Sequence, residues 1–355
     1  MEYLYEYLVF LAEVVTLVIA LLVIISAIAG ASQKQVGGER VGRLVVAHIN
    51  EQLKELRHTM EHAVLPKAQV KKQHKAEAKQ ENKAEKERAK ALGASTEDTS
   101  QESADKAPER IFCLRFDGDI KASAVDHLRS EVSAVLTMAT EQDEVVVVVE
   151  SPGGMVSNYG LAASQLTRFR SANIPLTVVV DKVAASGGYL MAAVASKILA
   201  APFALVGSIG VVAQVPNVHR LLKKNDVDVE VHTAGKHKRT LTMFGENTEE
   251  GRQKFKEELE DVHTLFQTFV AGYRPDLDMD TVATGEAWYG TRAVDIGLVD
   301  GIATSDEYLM AACEHSEVYT VKWEELRRPI DRLMERVNGM LKQAEDTMGK
   351  FTNNG

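Results

Sequence analysis

The chain contains 355 residues, of which 26% are charged, and its formal net charge is -10. This length accommodates one large domain with additional segments, and the acidic balance excludes a global basic field for binding nucleic acid. The two cysteines, Cys113 and Cys313, provide neither a disulfide framework nor the spacing of a metal site.

An apolar segment near the N-terminus, Leu8–Ala31, carries a single charged residue, Glu13. As a helix it is long enough to cross a hydrocarbon core of about 30 Å. Ala29-Gly30-Ala31 resembles a signal-peptide cleavage site, but no Lys or Arg precedes the segment and the apolar run exceeds a typical signal sequence. We therefore expect residues 1–33 to form an uncleaved, single-pass membrane anchor.

Basic residues after the anchor bear on its orientation. Lys34, Arg40 and Arg43 follow it, which by the positive-inside rule places the bulk of the chain in the cytoplasm. Three charges are a weak signal, however, and a large domain can be translocated regardless of charge. The side of the membrane on which the domain lies therefore stays open.

Residues 34–108 are predicted to form a juxtamembrane helix and a charged linker. Apolar residues recur at helical spacing within Arg43–Leu65. Lys, Glu, Gln and Ala dominate Pro66–Leu92, which has no apolar face and is interpreted as a solvated spacer rather than a lipid contact. Gly93–Pro108 is acidic and rich in Ser and Thr, which is typical of a disordered linker.

The folded domain is expected to span residues 109–303. Its first elements are predicted to be strands at Ile111–Phe116, Val145–Val149 and Leu176–Val180 and helices at Ala124–Met138 and Ser157–Arg170. This alternation of strands and helices indicates an α/β fold with a largely parallel sheet.

Two further helices are predicted towards the C-terminus. Asn247 and Glu250 have the spacing of a capping box, at the start of a helix that ends near Ala271. An amphipathic stripe between Ile330 and Met348 indicates a helical extension, assigned to residues 304–355. This extension either docks onto its own domain, packs between subunits or lies on the membrane.

Ser186 is a candidate nucleophile, because it lies where the strand Leu176–Val180 is expected to be followed by a helix of small residues. Free N–H groups at a helix N-terminus stabilise developing negative charge. Gly187 and Gly188 present no side chains that would block a substrate carbonyl. The alternative is that Ser186 is only an N-cap.

A second glycine loop, Ser151-Pro152-Gly153-Gly154, follows the valine strand at the edge where parallel sheets place their ligand sites. It is either a simple turn or part of an oxyanion-binding site shared with the Ser186 loop. The base that would activate Ser186 is also open at this point. It is either one of the downstream histidines, His219, His232, His237 and His263, or a lysine of the loop Gly235–Arg239, which follows a predicted strand at Val229–His232. Repulsion between the neighbouring charges of that loop would favour an uncharged amine.

Four motifs in this order carry a resemblance to a known family. They are Ser-Pro-Gly-Gly after a valine-rich strand, Ala-Ser-Gly-Gly-Tyr around Ser186, Gly-Ser-Ile-Gly-Val at Gly207–Val211, and a Gly-x-x-Lys loop. The chain resembles the signal peptide peptidase A-type serine proteases, peptidase family S49, whose fold is that of the Clp protease and crotonase superfamily. The resemblance extends from about Ile111 to Ile302.

The resemblance implies a Ser/Lys dyad with Ser186 as nucleophile and Lys238 as general base. It also implies that Ser208 orients the lysine and that Gly153, Gly154 and Gly187 form the oxyanion hole. No cofactor or metal is expected in this chemistry.

A membrane-anchored endopeptidase of the bacterial inner membrane is therefore expected, acting on membrane-associated, signal-peptide-like or misfolded polypeptides. Relatives in the family form oligomers in which serine and lysine can come from neighbouring subunits, so a homo-oligomer is expected, with the dyad formed either within one chain or between chains. Two rival functions stay open, namely an acyl-CoA hydratase or isomerase on the same fold, and a non-catalytic scaffold.

Overall fold

The computed structural model describes residues 42–75 and 109–325, together with residues 16 and 79. The predicted acidic linker and C-terminal stripe lie outside the described residues, as does nearly all of the predicted anchor. Among the helices that are described, none is both long and apolar enough to cross a membrane.

The described residues form two sheets, a larger one of seven strands in the order β1-β10-β2-β3-β4-β6-β9 and a smaller one of three in the order β5-β7-β8. The described strands are β1 (Gly42–His48), β2 (Arg110–Asp117), β3 (Glu144–Glu150), β4 (Leu176–Val180), β5 (Val183–Ala185), β6 (Lys197–Ala200), β7 (Leu205–Gly207), β8 (Ala287–Tyr289), β9 (Gly301–Ile302) and β10 (Glu317–Glu325). Neighbouring strands from β10 to β9 in the larger sheet all pair in parallel. The predicted parallel α/β sheet is confirmed.

Helices connect these strands. The described helices are α1 (Ile49–Val64), α2 (Val125–Leu136), α3 (Val156–Ser171), α4 (Gly187–Ala192), α5 (His219–Lys224), α6 (Glu249–Tyr273), α7 (Met279–Val282), α8 (Gly290–Asp295) and α9 (Ser305–Ala312). The three strands and two helices predicted for the first part of the domain are confirmed, with bounds that differ by one or two residues.

The valine strand β3 lies in the middle of the core. Successive side chains of a strand point to opposite faces. Val145, Val147 and Val149 accordingly pack in one hydrophobic cluster, whereas Val146 and Val148 pack in a second cluster on the other face of the sheet. Burial on both faces explains why the strand contains no alternating polar residue.

The described residues from Leu44 to Trp323 belong to one compact unit, which includes residues on both sides of the predicted domain 109–303. The first residues assigned to the juxtamembrane helix instead form β1, and the helix begins only at Ile49. Asn50 donates to the carbonyls of Cys313 at 3.1 Å and Ser316 at 2.9 Å, and accepts from the Val318 N–H at 2.8 Å. This segment and α9–β10 therefore belong to the folded unit.

Two local predictions were also wrong. Val229–His232 is not a strand, because its backbone pairs with none of the strands that the structure describes, and Val229 and Val231 are exposed. The long helix α6 is capped by Thr248, whose side chain accepts from the Gly251 N–H at 3.1 Å. Asn247 instead accepts from the Thr242 N–H at 2.8 Å and so shapes the preceding loop.

Candidate active site

Ser186 joins β5 to α4 in a backbone conformation that is rare for a residue with a side chain. Its φ is 52° and its ψ is -117°. Two hydrogen bonds hold this conformation, one from the Ser186 N–H to the Gly207 carbonyl at 2.8 Å and one from the Leu190 N–H to the Ser186 carbonyl at 2.9 Å. Strained backbone of this kind costs about 1–3 kcal/mol and concentrates at functional sites.

The Ser186 side chain makes no cap hydrogen bond with α4. The N-cap alternative is therefore wrong for this serine. Its half-buried hydroxyl lies at the start of a helix and, among the described residues, has no hydrogen-bond partner. A hydroxyl in this setting is available to a substrate or to a base.

Gly153 packs directly against Ser186. A Cβ atom at Gly153 would lie 2.7 Å from the Cβ of Ser186 and 3.0 Å from the backbone nitrogen of Gly187. Its φ of 88° is also a conformation that favours glycine. At Gly154 a Cβ would lie 2.1 Å from the Ile120 carbonyl oxygen. Both glycines are therefore required by close approach to a neighbouring segment, and Gly153 brings the two predicted loops together.

A buried hydrogen-bond network supports the Gly153 loop. The Gly153 N–H donates to Ser151 Oγ at 3.1 Å, the Ser151 and Tyr159 hydroxyls lie 2.5 Å apart, and the Tyr159 hydroxyl donates to the Asp119 carbonyl at 2.7 Å. Burial raises the pKa of Tyr159, so its hydroxyl stays protonated as this network requires. Tyr159 was not predicted as part of the site, because the sequence around a helical tyrosine does not indicate which distant residues its hydroxyl contacts.

Two backbone N–H groups are available in this site to bind an oxyanion. The Gly153 N–H is already bonded to Ser151 Oγ. The Gly187 N–H belongs to the first residue of α4, where an N–H has no acceptor within the helix. Among the described residues, the Gly154 N–H also lacks an acceptor. The N–H groups of Gly154 and Gly187 thus provide one free donor from each of the two loops.

Ser208 follows the strand that pairs with the Ser186 strand. Ala185 of β5 is in register with Gly207 of β7, so Ser186 and Ser208 leave adjacent strands at the same end. The φ of Ser208 is 51°, and its N–H donates to the Glu286 carbonyl at 2.6 Å. The structure places Ser208 beside the Ser186 turn.

Lys238 lies on an exposed turn in which its N–H donates to the Gly235 carbonyl at 3.2 Å. Within the described part of this single chain, no hydrogen bond joins Lys238 to Ser186. The neighbouring Lys236 forms an ion pair with Glu250 at 3.3 Å, whereas Lys238 has no acidic partner among the described residues.

The candidate histidines are likewise separate from Ser186, with which none of them forms a hydrogen bond in the described part of the chain. His263 on α6 lies 3.2 Å from the Ile209 carbonyl, and His232 is exposed beside Glu230. His237 is also exposed, and His219 starts the short helix α5. The geometry of this chain therefore selects no histidine as the base.

The folded unit, with its parallel sheet and its paired glycine loops around a serine, belongs to a recognised class of peptidases. The model of the peptidase family S49 N-terminal region matches residues 2–166, and the peptidase family S49 model matches residues 168–319. The chain is a member of peptidase family S49.

Curated relatives identify the group within that family. The chain is 47% identical over 317 residues to the probable protease SohB of Haemophilus influenzae, covering 89% of this chain and 87% of that protein. It is 55% identical over 201 residues to the probable protease SohB of Buchnera aphidicola subsp. Schlechtendalia chinensis, covering 57% of this chain and 66% of that protein.

Among solved structures, the chain is similar to a mutant of the 1510-N membrane-bound stomatin-specific protease in complex with a substrate peptide. The TM-score is 0.38 and the identity is 12%, over 65% of this chain and 98% of that chain. Membership of the peptidase family favours peptide hydrolysis over the acyl-CoA chemistry left open by the sequence.

Proposed function

We propose that this protein is a membrane-anchored serine endopeptidase of the bacterial inner membrane that uses a Ser186/Lys238 dyad. Its substrates are membrane-associated, signal-peptide-like or misfolded polypeptides. The observation that carries the proposal is the Ser186 turn. Its hydroxyl has no hydrogen-bond partner among the described residues, and it lies on strained backbone between a helix N-terminus and a closely packed glycine loop.

In the proposed reaction, Ser186 Oγ attacks a peptide carbonyl carbon while uncharged Lys238 accepts the hydroxyl proton. The N–H groups of Gly154 and Gly187 stabilise the negative charge that forms on the carbonyl oxygen. Gly153 lets this oxygen approach, because any side chain there would meet Ser186. Lys238 then protonates the leaving amine, and afterwards it activates the water that hydrolyses the acyl-enzyme.

Lys238 reaches the serine of a neighbouring subunit in this proposal. Two features of the single chain support a shared site, namely the exposed position of Lys238 and the exposure of apolar side chains in the segment 208–248 that contains it. Val212 is 92% exposed and Phe244 is 50% exposed. Burial of such side chains against a second copy would stabilise a homo-oligomer, since apolar burial contributes about 25 cal/mol per Å². Ser208 orients the incoming lysine.

Hydrolysis of casein by the full-length protein in detergent tests the dyad. Ser186→Ala and Lys238→Ala are each expected to abolish hydrolysis, whereas Lys236→Ala, the matched control in the same loop, retains it. Equal turnover by all four proteins would exclude the dyad.

Mixing the two inactive variants tests the shared site. If serine and lysine come from different subunits, co-assembled Ser186→Ala and Lys238→Ala chains recover part of the activity in sites that receive one intact residue from each chain. Activity that stays absent in proven mixed oligomers would contradict sharing between subunits.

A further inference from the structure

Three side chains that are typical metal ligands lie together outside the proposed peptidase site. His58 and Glu61 belong to α1, and His74 belongs to the helical residues 67–75 that follow. Their potential ligand atoms all lie within 4.8 Å of one another. The proposed peptide hydrolysis uses none of these three residues.

The turn between the two helices explains how His74 returns to α1. The Leu65 N–H donates to the Glu61 carbonyl at 2.8 Å and ends α1, and the Pro66 carbonyl accepts from Gln69 at 2.9 Å as the next helix begins. The imidazole ring of His74 consequently lies with its centroid 4.1 Å from that of His58. Two rings from different helices thus face one another.

The Glu61 carboxylate divides its oxygens between two partners. Its Oε2 lies 3.2 Å from His74 Nε2, whereas its Oε1 lies 3.7 Å from Arg57 Nε. The Glu61 side chain is 16% exposed. One oxygen is therefore directed into the histidine cluster while the guanidinium neutralises the other, which suits a carboxylate that binds a metal through a single oxygen.

We propose that His58, Glu61 and His74 form a zinc-binding site that ties α1 to the following helix. Imidazole nitrogens combined with a carboxylate oxygen are a donor set that Zn²⁺ prefers. With bonds of about 2.0 Å, ligand atoms in a tetrahedral site lie about 3.3 Å apart. The ligand atoms of the cluster already lie within 4.8 Å of one another, which is close to this spacing.

His62 is the neighbouring histidine that would supply the fourth ligand of a tetrahedral zinc ion. It lies one helical turn after His58 on α1, so the two share a face. Its ring packs edge-on against His74 with centroids 5.3 Å apart. The role of the ion is structural, since it joins two helices and lies apart from the Ser186 turn. Cysteine spacing gave no sign of this site, because its ligands are histidines and a glutamate.

The proposal is tested by isothermal titration calorimetry, in which Zn²⁺ alone is added to the full-length protein after a chelator has removed bound metal. Wild type is expected to bind one ion at this site. His58→Gln and His74→Gln are each expected to weaken binding on the order of 10²-fold or more, since loss of a supporting residue alone typically weakens metal binding 10- to 100-fold. His315→Gln, at a histidine that is 72% exposed, is the matched control and retains the affinity of wild type.

Absence of zinc binding by wild type, or wild-type affinity in both variants, would overturn the site. Circular dichroism of the metal-free variants checks that they fold. If either variant is unfolded, Co²⁺ added to wild type decides the question. The intense visible absorption of four-coordinate Co²⁺ supports the site, and weak absorption typical of hexaaqua Co²⁺ contradicts it.

Discussion

The backbone N–H of Ser186 donates to the carbonyl of Gly207 at 2.8 Å, and this single bond joins the ends of two paired strands. It holds Ser186 at the end of the smaller sheet where Ser208 also follows its strand. Both serines adopt a positive φ, of 52° and 51°. The Ala-Ser-Gly-Gly-Tyr and Gly-Ser-Ile-Gly-Val motifs therefore meet at one place in the fold.

Ser208→Ala is predicted to lower kcat about 10- to 100-fold, because the Lys238 amine loses the hydrogen bond to Ser208 that we propose positions it. KM is expected to stay near that of wild type, since Ser208 acts through the lysine rather than on the substrate. Steady-state kinetics on a peptide substrate separates the two constants, with Ser164→Ala on the surface of α3 as the control. A rise in KM at constant kcat would contradict the positioning role.

Gly153→Ala is predicted to reduce activity on the order of 10²-fold or more, the size of effect seen when an oxyanion donor is lost. The new methyl group would lie 2.7 Å from the Cβ of Ser186, so the loop must move away from the nucleophile. Gly160→Ala on α3 is the matched control, because a Cβ there meets nothing within 4 Å. Both variants are assayed by casein hydrolysis, and equal activities would disprove the close-approach argument.

Tyr159→Phe is predicted to lower kcat and to destabilise the protein by about 1–3 kcal/mol, since it leaves buried partners without their hydrogen bond. Its hydroxyl contacts Ser151 and the Asp119 carbonyl beneath the Gly153 loop. Tyr189→Phe also removes a buried hydroxyl, which donates to the Leu298 carbonyl at 2.8 Å away from that loop. Thermal unfolding should show a lower melting temperature for both variants. A loss of kcat that is confined to Tyr159→Phe supports a role of the Tyr159 network in holding the Gly153 loop.

Glu131→Gln is predicted to raise the melting temperature at pH 7. Burial raises the pKa of Glu131 from its ordinary 4.5, and the bond from the Trp323 N–H only partly offsets this. The folded state thus prefers the protonated carboxyl, so its stabilising contribution is complete below pH 4.5 and is lost as pH rises through the raised value. Glutamine keeps the acceptor for Trp323 without the charge.

The increase in melting temperature caused by Glu131→Gln should accordingly become smaller as the pH falls towards 4. Unfolding of both proteins followed across this range provides the check. A gain that grows on acidification, or a loss at pH 7, would show that ionised Glu131 stabilises the fold.

The parallel core was predictable because its signal is local. Five consecutive valines at Val145–Val149 have only one favourable environment, a strand covered on both faces. The attachment of Asn50 to Cys313 and Ser316 was not predictable, since it joins residues at opposite ends of the folded unit. The failed strand at Val229–His232 has a related cause, because an apolar alternation predicts a strand without showing that a partner strand exists.

The candidate site likewise contains residues that the sequence predicted and residues that it did not. Ser186 and the glycine loops were predictable, because strand ends and small residues are visible in sequence. Tyr159 was not, since its role depends on the ring of a helical residue lying under Gly187, where a Cβ would meet the ring at 2.3 Å. No hydrogen bond joins Lys238 to Ser186 in the described part of one chain, and the pairing that we propose for them depends on contacts between chains.

The most direct test of the account is ¹¹B NMR of the full-length protein with a peptide boronate, which mimics the tetrahedral intermediate when a serine oxygen adds to boron. We predict a tetrahedral boron signal in wild type that is absent in Ser186→Ala and retained in Lys236→Ala. A tetrahedral adduct of equal strength in Ser186→Ala, or none in an active wild-type sample, would contradict Ser186 as the nucleophile.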